Sequence, residues 1–396
     1  MKCPDCGLFN RLLSRFCRGC GLAGAQYSWQ TRGGDNASFV MEAALDLDDE
    51  VELAWSAELG QAISTAPLVI GDLFVGLTRA GELFVFEPES SIPLYRGPLA
   101  GVEELIASPA ALDGLLLAAC GNRLVVADLV DLLELSPGAT PRRGVFPLKG
   151  EVCSHMASDG EHYAALATRH QDRVLITVFA NQGAGTLELL WTRSPAGAAD
   201  PHTFATLCFL DGHLLVGLAD GRLWAYALNS GQLTGEEHLS EGLAATGLLG
   251  RGSFALLAGA DGAIYQVHCQ DGLTRTPLAQ PVSQPIFALG ASRTHLVSCH
   301  GKLVRKLELR SGKTAELELP QYCTQEPLVG QEHALLVSNE GTVYQLNLRG
   351  TALQALRSRK LFTAVGSLPS PPVAGRNRLY VCGPEGELVA ARLEQS

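Results

Sequence analysis

The stretch LLVGLADGRLWAYALNSG, residues 214–231, decides the fold. An apolar run ends at a small polar turn, Asp220-Gly221, and a second run alternates beyond it. In that second run Leu223, Ala225 and Ala227 share one face, while Trp224, Tyr226 and Leu228 share the other. Side chains alternate across a strand, so apolar residues on both faces predict a strand buried on both sides, as in stacked sheets. Asp-Gly between two such runs reads as a two-residue hairpin loop whose backbone needs positive φ.

Working outward, the same phrase returns along the chain. LFVGLTRAGELFVFEPES (73–90), ALLAGADGAIYQVHCQDG (255–272), HLVSCHGKLVRKLELRSG (295–312), LLVSNEGTVYQLNLRG (335–350) and LYVCGPEGELVAARLEQS (379–396) are copies, and LLLAACGNRLVVADL (115–129) is a looser one. The least regular unit, YAALATRHQDRVLITVFANQG (163–183), lacks the central glycine. The turn glycines are Gly81, Gly121, Gly221, Gly262, Gly301, Gly341 and Gly386, a spacing of about 40 once the irregular copy is inserted. A repeat of roughly 40 residues built from four short strands is the signature of a β-propeller blade.

Eight inner phrases begin near Pro67, Ile106, Val152, Thr203, Leu243, Pro285, Pro327 and Pro371. Each needs an outer strand. TLELLWTRS (186–194) and KTAELELP (313–320) follow their phrases, whereas VELAWSAEL (51–59) precedes the first and is expected to pair with the last. That pairing closes the ring and removes an exposed sheet edge. The expectation is an all-β, eight-bladed propeller, with seven blades as the alternative.

Composition agrees. Hydrophobic residues make up 46% of the 396 and charged residues 18%, which excludes a mostly disordered chain, and 43 glycines suit a turn-rich β fold. A formal charge of −11 argues against a protein that coats nucleic acid.

GRLWAYALNSGQL resembles the repeats of the pyrroloquinoline-quinone-like (quinoprotein-type) propellers, in which a strand ending in an ALDxxTG-like turn is followed by a strand bearing Trp. Leu228-Asn229-Ser230-Gly231 and Leu309-Arg310-Ser311-Gly312 sit on such turns, and Trp55 and Trp191 take the outer-strand position. Only some blades carry the Trp, so other side chains must make several inter-blade contacts. The quinone-dependent dehydrogenases of this fold stack their cofactor on a disulfide between adjacent cysteines. This chain has no adjacent cysteines, so the resemblance implies the fold without the activity, and no pyrroloquinoline quinone is expected.

The amino terminus carries a separate motif, KCPDCGLFNRLLSRFCRGCG (residues 2–21). Its pairs Cys3-x2-Cys6 and Cys17-x2-Cys20 are each followed by a glycine, and two such knuckles supply the four thiolates of a closed, structural Zn²⁺ site. About twenty residues cannot fold unaided, so the metal supplies the folding energy. The segment resembles the short CPxCG…FCxxCG zinc-ribbon family, with Pro4, Asn10 and Phe16 on the pattern. Lys2, Arg11, Arg15 and Arg18 against Asp5 leave a weak footprint for phosphate once the metal and its thiolates are included. Residues 1–22 are thus read as a zinc ribbon. Residues 23–50 are read as a solvated, glycine-containing acidic linker, with Asp35, Glu42, Asp46, Asp48, Asp49 and Glu50, and residues 51–396 as the propeller.

The other cysteines, Cys120, Cys153, Cys208, Cys269, Cys299, Cys323 and Cys382, are odd in number and irregularly spaced, which suits small buried hydrophobes rather than a disulfide framework. With no signal-peptide pattern and no apolar run near the ~18 residues of a membrane span, the expected compartment is the cytoplasm, without membrane insertion. His155 and His162, or His295 and His300, are the histidine pairs that could converge, but no catalytic or cofactor-binding residue stands out. The favoured function is a non-enzymatic scaffold that docks protein partners, with the ribbon as a second contact module. An enzyme or small-molecule sensor using the channel is one alternative. A nucleic-acid-associated protein is another, although nucleic acid is not the expected partner.

Overall fold

In a computed structural model the chain forms an eight-bladed β-propeller. The structure describes residues 51–396 except 71–72, 100–101, 103, 130–142, 184–185, 198–203, 252, 271, 283, 365–366, 376–377 and 394–396. The zinc-ribbon and linker readings lie outside the described residues.

Seven blades follow one another along the chain, and the fourth is representative: Ala205–Leu210, His213–Leu218, Arg222–Ala227 and Leu233–His238 pair antiparallel in that order, from the axis outward. The eighth blade orders Val373–Ala374, Arg378–Cys382 and Glu387–Arg392, and its outer strand is Glu52–Glu58 from the other end of the chain. Glu52 lies opposite Arg392 and Glu58 opposite Glu387, with a bulge between Leu53 and Trp55.

The two-faced burial read from residues 222–228 is what the packing shows. Trp224 and Tyr226 join Trp191 in the cluster between the third and fourth blades, whereas Leu223 and Ala225 join Ala255, Leu257 and Val267 between the fourth and fifth. Every blade is therefore packed on both sides, and the core is a ring of inter-blade layers.

The turn glycines all have positive φ, from 56° at Gly121 to 99° at Gly386. Their loops differ from the two-residue form expected. At Gly81, Gly262, Gly341 and Gly386 the glycine N–H bonds the carbonyl three residues back, and the flanking pair, as in Thr78 N to Glu82 O at 2.9 Å, closes a three-residue loop. This is a type I turn followed by a left-handed bulge residue, so glycine is demanded at the third position, not the second. Gly121 does sit in a two-residue loop, between the paired residues Cys120 and Arg123. The irregular third blade manages without glycine: Gln171 takes φ 58° in the loop between His170 and Arg173. Its inner strand is also broken, as Glu151–Val152 and Ala157–Ser158 both pair with Tyr163–His170. In the sixth blade one element, His295–Glu308, supplies both middle strands by doubling back at Gly301.

At three seams a side-chain donor from one blade caps the outer turn of the next. Trp191 Nε1 donates to Leu228 O at 2.7 Å and Trp55 Nε1 to Pro88 O at 2.8 Å. Between the sixth and seventh blades a lysine does this work: buried Lys306 Nζ donates to the carbonyls of Leu348 and Gly350 at 3.0 and 2.9 Å. At the eighth, Arg378 Nε adds a bond to Pro88 O at 3.0 Å and pairs with Glu89. Removing such a donor leaves buried carbonyls unsatisfied.

Gly231 explains the turn motif that resembles the quinoprotein repeat. A Cβ there would come within 2.7 Å of the Trp191 ring, and the residue has φ 63°. Gly312 sits at the matching turn with φ 70° and open space around it. Gly231→Ala is therefore expected to lower unfolding free energy by about 3 kcal/mol, combining a clash with left-handed strain, and Gly312→Ala by only about 1 kcal/mol. Urea denaturation of both variants checks the ordering.

A candidate protein-docking site on the sixth blade

The turns at Gly81, Gly121, Gly221, Gly262, Gly301, Gly341 and Gly386 share one face of the ring with the loops that lead into each inner strand. Gly221 O, for example, accepts from Leu239 N at 2.9 Å, and Gly386 O from Leu59 N at 2.8 Å. This face carries the largest aromatic exposure of the sixth blade. Phe287 precedes the inner strand Ala288–Ala291, and Tyr322 lies near the end of the outer strand Thr314–Cys323; they are 45% and 56% exposed. Gly301 separates them: a Cβ there would meet the Tyr322 ring at 3.1 Å and the Phe287 ring at 3.8 Å. Lys302 Nζ stands 5.4 Å over the Tyr322 ring.

The backbone under this pair is fixed. Phe287 N donates to Cys299 O at 2.9 Å, and Asn339 N of the seventh blade to Tyr322 O at 2.8 Å. Gln321 binds the two blades together, accepting from Ser338 Oγ at 2.8 Å and Tyr344 Oη at 3.1 Å while donating to Glu340 at 2.7 Å. The outer strand runs on to Cys323, past the residue 320 read from the sequence, and that extension carries Tyr322 onto the face.

His300, which precedes Gly301 in the chain, is buried. Its Nδ1 is 3.0 Å from Gln284 O, which can only accept, so Nδ1 carries the proton. In the neutral ring Nε2, 3.0 Å from Ser298 Oγ, accepts from that hydroxyl. Burial pushes its pKa below the usual imidazole value, and nearby Arg305 adds to this against the opposing bond to Gln284.

The histidines singled out in the sequence do not act in pairs. His155 accepts from Ser108 N at 2.9 Å and rests edge-on against Phe204, whereas His162 lies beside Glu161 and Tyr163. His295 bonds Thr294 Oγ1, away from the Ser298–His300–Gln284 chain. Of the seven scattered cysteines six are buried, as expected, and Cys120 is half-buried. Burial pushes the thiols of Cys153 and Cys269 up to about 11 and those of Cys323 and Cys382 up to about 12. Cys3, Cys6, Cys17 and Cys20 lie outside the described residues. Among the described residues no three His, Cys, Asp or Glu side chains gather as metal ligands.

The fold is widely shared. The propeller superposes on the computationally designed protein Ika8 with a TM-score of 0.67 and 15% identity, covering 87% of this chain and 100% of Ika8. It matches BamB from Moraxella catarrhalis with a TM-score of 0.60 and 15% identity, over 88% of this chain and 99% of BamB. It also matches BBS1N, crystallised in complex with ARL6DN, with a TM-score of 0.53 and 14% identity, over 87% and 97% of the two chains. At such identities the likeness is one of fold. No protein-family model and no curated protein matches the sequence.

The neutral His300 has a consequence for stability. Its folded pKa lies below the unfolded value near 6.5, so the unfolded chain binds the extra proton first and stability falls as pH drops below about 6.5. His300→Gln is expected to reduce the loss of urea midpoint between neutral pH and pH ~5. Denaturation of both proteins at the two pH values measures it.

Proposed function

We propose that this protein is a non-enzymatic docking scaffold, with a rigid propeller that holds a protein partner on the face carrying Phe287 and Tyr322. The exposed aromatic pair on an immobile backbone carries this reading. Aromatic side chains with few rotatable bonds, rimmed by polar groups such as Lys302 and Glu340, are the usual centres of protein interfaces. The buried thiols, held far above neutral pH, and the histidines bound to neighbouring backbone and hydroxyl groups suit a structural role for these residues. The fold is compatible with docking, since BBS1N is a propeller crystallised with a partner.

In the same proposal Cys3, Cys6, Cys17 and Cys20 hold one structural Zn²⁺, and residues 1–22 form a second contact module on the linker, in the cytoplasm. Two weak contacts on one chain reinforce each other through effective concentration.

The docking test is affinity capture from extracts of the cells that make the protein, followed by cross-linking. Truncating a hot-spot aromatic costs about 2 kcal/mol, roughly 30-fold in affinity. A partner cross-linked near Lys302 should therefore be lost with Phe287→Ser/Tyr322→Ser while the melting profile is kept. Equal retention of every captured protein by a folded double variant would sink the reading. Metal analysis of the full chain should find one zinc per molecule, lost in Cys17→Ser with the propeller's melting transition unchanged.

A further inference from the structure

A cavity of about 320 Å³ opens between the sixth and seventh blades, at the end of the element His295–Glu308 opposite Gly301. That volume lies within the range of small-molecule sites, about 300–1,000 Å³. One wall belongs to the sixth blade, and the other is the turn 348–351 of the seventh.

The sixth-blade wall follows from strand register. Leu307 lies opposite Thr314, and the bond from Glu308 N to Lys313 O at 2.9 Å carries that ladder one residue further. On the inner side Leu309 N donates to Thr294 O at 2.9 Å, which sets His295 beside Glu308. His295, Glu308 and Lys313 therefore form a row across neighbouring strands, on the side from which Lys306 reaches the seventh blade.

Lys306 is the floor of the cavity. It is only 3% exposed, and its ammonium donates to the carbonyls of Leu348, Gly350 and Ala352. Three carbonyls satisfy its three donors, yet their dipoles carry no net charge. Among the described residues this ammonium makes no ion pair. Burial lowers its pKa, with Glu308 opposing that shift. Glu308 is the one acidic residue in the lining, and Ser311 Oγ holds it at 2.7 Å. Against it stand Lys306, Lys313 and Arg349, the last also paired with Glu332 on its own blade. The lining thus carries two net positive charges, and Thr314 and Thr351 add hydroxyls.

We propose that this cavity binds a phosphate group, with Lys313 and Arg349 touching its oxygens and buried Lys306 as a fixed positive floor. A phosphate monoester brings a charge of about −1.5 to −2 and three strong acceptor oxygens. That matches the net charge of the lining and donors arriving from two blades, whereas a carboxylate brings one charge and two oxygens. The bound group would also compensate the buried ammonium and tie the two turns together. Phe287 and Tyr322 lie at the other end of these strands, so the site does not rest on their docking role.

Titration calorimetry of the full chain at constant ionic strength tests it, with inorganic phosphate and with a short peptide carrying one phosphoserine. Lys313→Gln should weaken binding about tenfold, the loss of one charge-assisted bond. Glu308→Gln should tighten it about threefold, because the opposing carboxylate is gone. Both residues lie at the cavity's edge, and an unchanged melting transition shows that each variant is folded. Tighter binding of the phosphopeptide than of phosphate assigns the group to a phosphorylated chain, and equal binding assigns it to a small phosphate; either result supports the site. Failure of both probes to bind the wild type overturns the proposal, and so does binding that neither substitution alters.

Discussion

The ring depends on one pairing, between Glu52–Glu58 and Glu387–Arg392. Each of the other blades is completed by neighbouring sequence. This blade takes strands from opposite ends of the chain, and without it the first and seventh blades would each expose an apolar face. The largest cluster among the described residues lies here, with Phe74, Phe86 and Tyr380 on one side and Leu335 and Val343 on the other. The bulge at Leu53 and Trp55 lies in the same strand that delivers the indole to Pro88 O, so one strand completes a sheet and clamps the next blade.

Around the ring the same problem is solved by different chemistry. At three seams the turn before the outer strand presents carbonyls that accept a donor from the preceding blade. Trp191, Trp55 and Lys306 supply these donors. Indole supplies one donor and a flat ring, which is why Gly231 must lie beneath Trp191. The ammonium supplies three donors and needs several carbonyls to offset the loss of hydration. The repeat therefore tolerates loss of its tryptophan while keeping its geometry.

Much of this was legible in the sequence because its causes are local. Double-sided apolar strands at 222–228, left-handed glycines at a spacing of about 40, and an orphan strand at 51–59 together pointed to the propeller and its closure and favoured eight blades over seven. What escaped was set by strand register and by contacts between blades. The bulged three-residue loops differ from two-residue loops only in where the glycine falls relative to the last paired residues, and register is a tertiary property. Gln171 adopts φ 58° within a hairpin of eight paired positions, whose pairing outweighs the local preference for glycine. Tyr322 escaped because nothing in PQYC (residues 320–323) announces that the strand continues; the bond from Asn339 in the next blade holds it there.

The closing strand also has a history during synthesis. Ribosomes make Glu52–Glu58 first among the blade strands and its partner Glu387–Arg392 last, so the strand must wait unpaired while seven blades form beside it. A waiting strand is a template for the wrong neighbour. This one begins and ends with glutamate and is interrupted by a bulge, features that weaken pairing with other acidic outer strands, such as those holding Glu236 or Glu316. Arg392, opposite Glu52, is the basic residue it meets when the ring closes. The charges of this strand thus help to set when the ring closes as well as where.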